Sequence, residues 1–175
     1  YMAIPTGHDV NSNETFKNTS RPAISNTTPT YWMRASEVYF LLSEAAFLGF
    51  PVGQCAEDLY KKGIVLSFEE NGIPTSEVTT YLQSGLQPAA YNMSVANPSV
   101  NVSVPAVTQA TTEWTGTDEE KLEKIMIQKW IALFPNGQEA WTEYRRTGYP
   151  KLHSAITNYS NGEVDSEIGI RRMRY

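Results

Sequence analysis

The stretch Ile125 to Pro150, IMIQKWIALFPNGQEAWTEYRRTGYP, decides how this chain is read, because an apolar helix, a Pro-Asn-Gly turn and an aromatic-basic helix follow one another without a gap. Thr117 and Glu120 stand ahead of it as a capping box. The threonine hydroxyl can accept from an amide of the first turn while the glutamate reaches back to the cap. The helix is therefore expected to start near Asp118. Leu122, Ile125, Met126 and Leu133 form one apolar stripe and Ile127, Trp130, Ile131 and Phe134 a second, so by its end the helix is apolar nearly all round and is expected to be buried. Phe134-Pro135-Asn136-Gly137 stops it. Ala140, Trp141 and Tyr144 then carry a shorter helix through Arg145 and Arg146 to Gly148, which stands where a left-handed C-terminal residue is wanted.

Working outward, a helix is expected from about Met33 to Leu48, with Ala35, Val38, Leu42, Ala45 and Ala46 inward and Gly49-Phe50-Pro51 ending it. The next spans roughly Gln54 to Asn71. Its Ala56, Leu59, Tyr60, Gly63, Ile64 and Ser67 share a face whose small residues admit a neighbouring helix closely, and Gly72 supplies the stop. Two antiparallel helices joined by a short turn make one tetratricopeptide-like unit. Thr75 to Gln83 can add a short helix. Residues 1–30 are rich in Asn, Ser, Thr and Pro and form a surface-hugging segment, and residues 151–169 return to polar coil. From Ser84 to Gly116 no helical period appears, and a loop of that length is usually functional or disordered. Within it Val100, Val102 and Val104 alternate with polar residues, which permits one short strand or hairpin arm before Pro105. The expected fold class is all-α with a long decorated loop.

Composition excludes several functions. Net charge is −5, and no basic stripe is available for a phosphate backbone, so nucleic acid is not an expected partner. No apolar run approaches the roughly 20 residues of a membrane span, so membrane attachment would have to come from a lipid anchor or a partner. Cys55 is the only cysteine; it permits no internal disulfide and is expected to pack as a small hydrophobe. His8 and His153 are far apart in coil, and no spacing of a metal cage, nucleophile elbow or phosphate loop is present. Asp9-Val10-Asn11-Ser12-Asn13 begins like a calcium loop. It departs from one at the sixth position, Glu14, and at the twelfth, Ser20, so Asx-rich turns explain it better. No metal, cofactor or catalytic residue is therefore expected, and the chain is not read as an enzyme.

The motif helices, with three further segments, carry a resemblance. Residues 125–150 are similar to the Gln-Lys-Trp/Tyr-Ile-Ala-Leu helix, Glu-Ala-Trp and Arg-Arg-Thr-Gly-Tyr-Pro of the SusD/RagB-like family, within it the SusD-like outer-membrane lipoproteins of Bacteroidetes. Residues 34–46 (RASEVYFLLSEAA) resemble that family's Ala-Glu-rich helix, with Ser36 and Ser43 where Ala is more usual. Residues 60–68 (YKKGIVLSF) resemble its Tyr-x-x-Gly-Ile-x-x-Ser helix, and residues 170–175 (IRRMRY) its Arg-Arg-x-x-Tyr-Pro. Family members are much longer, so the chain reads as the C-terminal part of a single SusD-like domain over 1–175, with 84–116 as a variable loop. The resemblance implies a helical, tetratricopeptide-like scaffold, lipid-anchored in the full-length protein on the extracellular face of the outer membrane. There it would capture a glycan or other nutrient for a TonB-dependent, SusC-like transporter. A helical-repeat adaptor binding only a protein or peptide is the alternative.

Glu37 and Glu44 are the paired carboxylates worth weighing, since a spacing of seven places them on one helix face. Their backbones are about 10.5 Å apart along the axis, beyond the roughly 5 to 9.5 Å of glycosidase carboxylates. A structural pairing with Arg34, Arg145 or Arg146 is favoured. Adjacent helix positions diverge by about 100°, so only one of Arg145 and Arg146 can turn inward to such a glutamate. Sugar recognition uses aromatic faces beside hydroxyl-reading amides and carboxylates. Trp32, Trp130 and Trp141 are expected in the core. The candidate ligand residues are Trp114, Tyr91 and Asn92, which lie in the long loop, where no helix face demands an aromatic ring.

Overall fold

The computed structural model describes residues 3–10, 12 and 14–164, so the motif at residues 170–175 lies outside the described residues. The chain divides into two compact units. One spans 27–87 and 110–150 and is helical: α1 (Ala35–Phe47), α2 (Ala56–Glu70), α3 (Glu77–Leu82), α4 (Asp118–Ala132) and α5 (Gly137–Thr147). The other gathers three separated stretches, Tyr1–Asn26, Pro88–Gln109 and Lys151–Tyr175. It holds β1 (Tyr91–Met93), a 3-10 turn (Pro98–Val100) and β2 (Val102–Val104). The scaffold is thus the expected all-α one apart from a two-stranded antiparallel sheet, in which Asn92 lies opposite Ser103. The expected strand is Val102–Val104, while Val100 closes the 3-10 turn and is buried.

In the helical unit α1 and α2 run antiparallel, because the start of α1 bonds to the end of α2 and the middle of α1 to the start of α2. The Ser36 amide and hydroxyl donate to the two Glu70 carboxylate oxygens at 3.0 and 2.6 Å, so a residue of α2 caps α1 from outside. The Ser43 hydroxyl donates to Ala56 O at 2.8 Å. Between these bonds Phe40 lies on Gly63, where an added Cβ would stand 2.8 Å from the ring, so the close approach expected of this face requires glycine there. Phe40, Tyr60, Ile64, Val78, Ile125, Met126 and Ala132 form the core. The Thr117–Glu120 capping box forms as expected, with Thr117 N–H donating to Glu120 Oε2 at 2.6 Å and Glu120 N–H to Thr117 Oγ1 at 3.3 Å. Gly148 takes its left-handed place after α5, with φ 80°.

Five expectations are corrected. The inward face of α1 is Ser36, Glu37, Phe40, Ser43 and Glu44 rather than the alanine-rich face, because these polar side chains find partners inside and Ala35 is left exposed. On α4 only one stripe is buried. Glu123, Lys124, Gln128 and Lys129 lie inside with Ile125, Met126, Ala132 and Leu133, while Trp130 (39% exposed), Ile131 and Phe134 face outward. Trp32 precedes α1 and is 95% exposed rather than in the core. Trp141 is half-buried and stacks on Tyr144, with ring centroids 5.9 Å apart. Cys55 is exposed at the N-terminal cap of α2 instead of packing as a hydrophobe, since its neighbours Gln54 and Gly53 are exposed as well.

The irregular unit is held by hydrogen bonds more than by a wide apolar core. Ile156 and Thr157 donate their amides to Thr6 O and Gly7 O at 2.9 and 3.2 Å. Val10 N–H donates to His8 Nδ1 at 3.1 Å, which leaves the ring proton on Nε2 to donate to Val100 O at 2.8 Å. Buried Phe16 meets the His8 ring edge-on at 5.3 Å.

Candidate functional site

Two of the three candidate ligand residues share the small sheet. The Tyr91 hydroxyl accepts from Ala3 N–H at 2.8 Å and donates to Ala3 O at 2.5 Å, so its ring is fixed by the N-terminal segment. Asn92 points to the exposed side, where its Oδ1 accepts from the Ser103 hydroxyl at 2.6 Å. A cross-strand pair of this kind orders the amide that would read a hydroxyl. The third, Trp114, belongs to the helical unit. Its ring packs on Tyr60 at 5.0 Å and edge-on to Phe47 at 6.4 Å, with only part of its surface open.

Trp114 is held there by a strap over residues 111–115. Tyr60 Oη donates to Thr112 O at 2.9 Å, and the Thr112 hydroxyl donates to Tyr81 O at 2.6 Å. Lys124 on α4 donates to Glu113 O at 2.6 Å, Thr115 O at 2.8 Å and Thr111 Oγ1 at 3.2 Å. Its ammonium is buried among neutral oxygens, and burial lowers the pKa from the ordinary lysine value. Sequence reading missed this lysine because its partners are backbone carbonyls, which no side-chain pattern announces.

The charged groups of α1, α4 and α5 converge elsewhere. Arg146 donates to both Glu44 oxygens at 2.6 and 2.7 Å, the bidentate pair expected of one of the two arginines, and to Glu143 Oε2 at 2.7 Å. Arg145 is exposed beside Trp141, its guanidinium 6.0 Å from the ring. Glu143 Oε1 lies 2.9 Å from the ammonium of Lys129, a side chain only 2% exposed. Burial by itself would raise the Glu143 carboxyl, but the Arg146 and Lys129 donors outweigh it and hold the group below its ordinary value. Burial raises the carboxyl of Glu37, with the nearby Lys129 charge opposing. Glu44 is thus committed to an arginine, and that ion pair ties α1 to α5. Among the described residues no group of three His, Cys, Asp or Glu side chains could hold a metal ion, and no helix is long and apolar enough to cross a membrane.

A second feature missed in sequence lies in the stretch read as polar coil. Tyr159 Oη donates to Asp9 Oδ1 at 2.8 Å across 150 positions. Only the Asn161-Gly162 pair beside it hinted at an ordered turn.

The comparisons with known proteins bear on the whole chain. The family model "SusD-like: Susd and RagB outer membrane lipoprotein" matches residues 1–175. No curated protein matches. Among solved structures, a SusD homologue from Bacteroides vulgatus is 36% identical with a TM-score of 0.87, over 99% of this chain and 36% of that one. A SusD homologue from Bacteroides ovatus is 47% identical with a TM-score of 0.74, over 82% and 29%. A chitin-binding SusD homologue from Flavobacterium johnsoniae is 42% identical with a TM-score of 0.73, over 83% and 30%. The chain therefore spans about a third of the length of these relatives.

Proposed function

This chain belongs to the SusD-like family of outer-membrane lipoproteins, and on that premise we propose that it serves non-catalytic capture of a glycan at the cell surface. In this reading it is the C-terminal part of one SusD-like domain, lipid-anchored on the extracellular face, and it passes ligand to a TonB-dependent, SusC-like transporter. The observation that carries the reading is the family match over the whole chain, and the 42% identity to a chitin-binding relative makes chitin fragments the first ligand to try. Tyr91 and Asn92 are the proposed contacts on the small sheet; Trp114, in the helical unit, is proposed separately and offers only its open edge. The engagement of Glu44 by Arg146 supports binding without hydrolysis, because a carboxylate held in a bidentate ion pair is neither a free nucleophile nor an acid.

The test is calorimetric titration with neutral oligosaccharides: chitohexaose, cellohexaose, maltoheptaose and laminarihexaose. Binding of at least one is expected; binding of none, with tight binding of peptides, would move the reading to peptide capture. One observation favours a helical-repeat adaptor instead, namely the outward Trp130 and Ile131 of α4 and Phe134 just beyond its end. Deleting residues 84–116 separates the two, since an adaptor keeps all of its binding and a capture subunit loses it.

A further inference from the structure

Tyr159 is 73% exposed, yet its ring is held from both ends. At the tip, the hydroxyl is committed to Asp9. At the root, the backbone sits in a closed turn. Glu163 N–H donates to Ser160 O at 3.1 Å across Asn161 and Gly162, whose φ angles of 54° and 86° are both positive, as a type I′ turn requires. Asn158 Nδ2 donates to Val164 O at 2.9 Å, Ser160 N–H to Asn158 Oδ1 at 3.0 Å, and Val164 N–H to Ser160 Oγ at 3.0 Å. The mouth of the turn is therefore laced shut. The two residues before it, Ile156 and Thr157, are bound through their amides to Thr6 and Gly7, in the same segment that carries Asp9.

An exposed tyrosine ordinarily gives up rotamer freedom when it binds something, and that loss weakens the complex. Here the ring is already immobilised by the fold. Because its hydroxyl is engaged, what it presents to solvent is a flat π face, and among the described residues no other ring stacks on it. Beside the face lies the Asp9 carboxylate, exposed and acceptor-only, with lone pairs beyond those taken by Tyr159 and the Thr157 side chain. The hydrogen bond from Tyr159, followed by that from Thr157, lowers the Asp9 pKa, which keeps the carboxylate ionised. A ligand matching this pair needs an apolar face edged by hydroxyl donors. It must also carry no anionic group, which Asp9 and the net charge of −5 would repel. A pyranose ring of a neutral sugar has both properties.

We propose that Tyr159 and Asp9 form a stacking subsite for one pyranose ring of a neutral glycan, Tyr159 supplying the face and Asp9 accepting from a ring hydroxyl. This rests on the glycan-capture reading above and adds a subsite in a part of the chain where the sequence suggested none. The full chain and its Y159A, Y159F and D9A variants are titrated with the same four oligosaccharides. Y159A and D9A are expected to weaken binding about tenfold or more, as loss of a principal contact does. Y159F keeps the ring face and loses only its anchor, so its loss is expected to be several-fold smaller. Binding by the parent that Y159A retains within about twofold overturns the subsite and leaves glycan capture standing. No binding by the parent to any of the four overturns both. A local effect leaves the melting temperature within about 2 °C of the parent. Should Y159A prove misfolded, the ring resonance of Tyr159 in protein labelled at tyrosine, assigned by its disappearance in Y159F, decides the matter: a shift on saturation with glycan supports the subsite, and an unmoved resonance overturns it.

Discussion

The two sides of α4 do not sort by hydropathy. Two lysines, a glutamate and a glutamine stand inside beside Ile125, Met126 and Ala132; outside stand Trp130 and Ile131, with Phe134 just beyond the helix end. Amphipathicity is a statement about averages, and what is buried is whatever finds partners. Lys129 has Glu143, Lys124 has the carbonyls of the strap, and both bring aliphatic stems that fill space as a leucine would. The outward rings have no such claim on the interior.

The sharpest way to break this contrast is to empty the inside. Phe40→Ala should cost about 3 to 5 kcal/mol, because the ring is fully buried on Gly63. Lys129→Ala should follow at about 3 kcal/mol, since it leaves Glu143 buried beside a lost cation. Urea denaturation monitored by circular dichroism measures both, and a loss under about 1 kcal/mol at Lys129 would mean that the inner charges are incidental. Arg146→Lys should cost about 1 kcal/mol: the bidentate fork to Glu44 is lost, but the side chain is half exposed and screened. Arg145→Lys should be nearly silent, and equal melting-temperature losses at the two arginines would remove the distinction.

On the inside, acid should act in two directions. The Glu143 carboxyl is held below the ordinary glutamate value of 4.5, so its stabilising share is complete above that pH and is lost as pH falls through the lower folded-state value. Glu37 runs the other way. Its raised pKa means that it binds a proton more readily when folded, so it gains stability as pH falls through that raised value and offsets part of the loss. Glu143→Gln should therefore be less stable than the parent at neutral pH, with the difference shrinking as pH drops below 4.5 in paired denaturation curves. A gap independent of pH would deny the charge its role. The smallest effects belong outside: Trp130→Ala and Trp32→Ala should each change stability by under about 1 kcal/mol.

The helices were legible because their signals are local. The capping box, the small-residue face of α2 and the glycine after α5 are each written within a few neighbouring residues. Which side of α1 and α4 turns inward was not, because that depends on Glu70, Glu143 and the strap carbonyls, all distant in sequence. Of the candidate site, Tyr91 and Asn92 do share one strand, whereas Trp114 was singled out as a loop aromatic and packs on Tyr60. Tyr159 escaped notice because its partner is 150 residues away. The serines at 36 and 43, by contrast, departed from the family pattern in plain view, and each bonds α2 across the helix pair.

Surface loops are often staked by a bound ion, and such loops fall open when a chelator removes it. The strap over Trp114 is closed by a positive charge that cannot leave, because the ammonium of Lys124 is tethered to α4 by its own four-carbon stem. Its oxygen cage resembles the coordination of an alkali cation, yet its occupancy does not depend on what the medium contains. The shape of this segment should accordingly be indifferent to chelators and to the ionic composition of the medium.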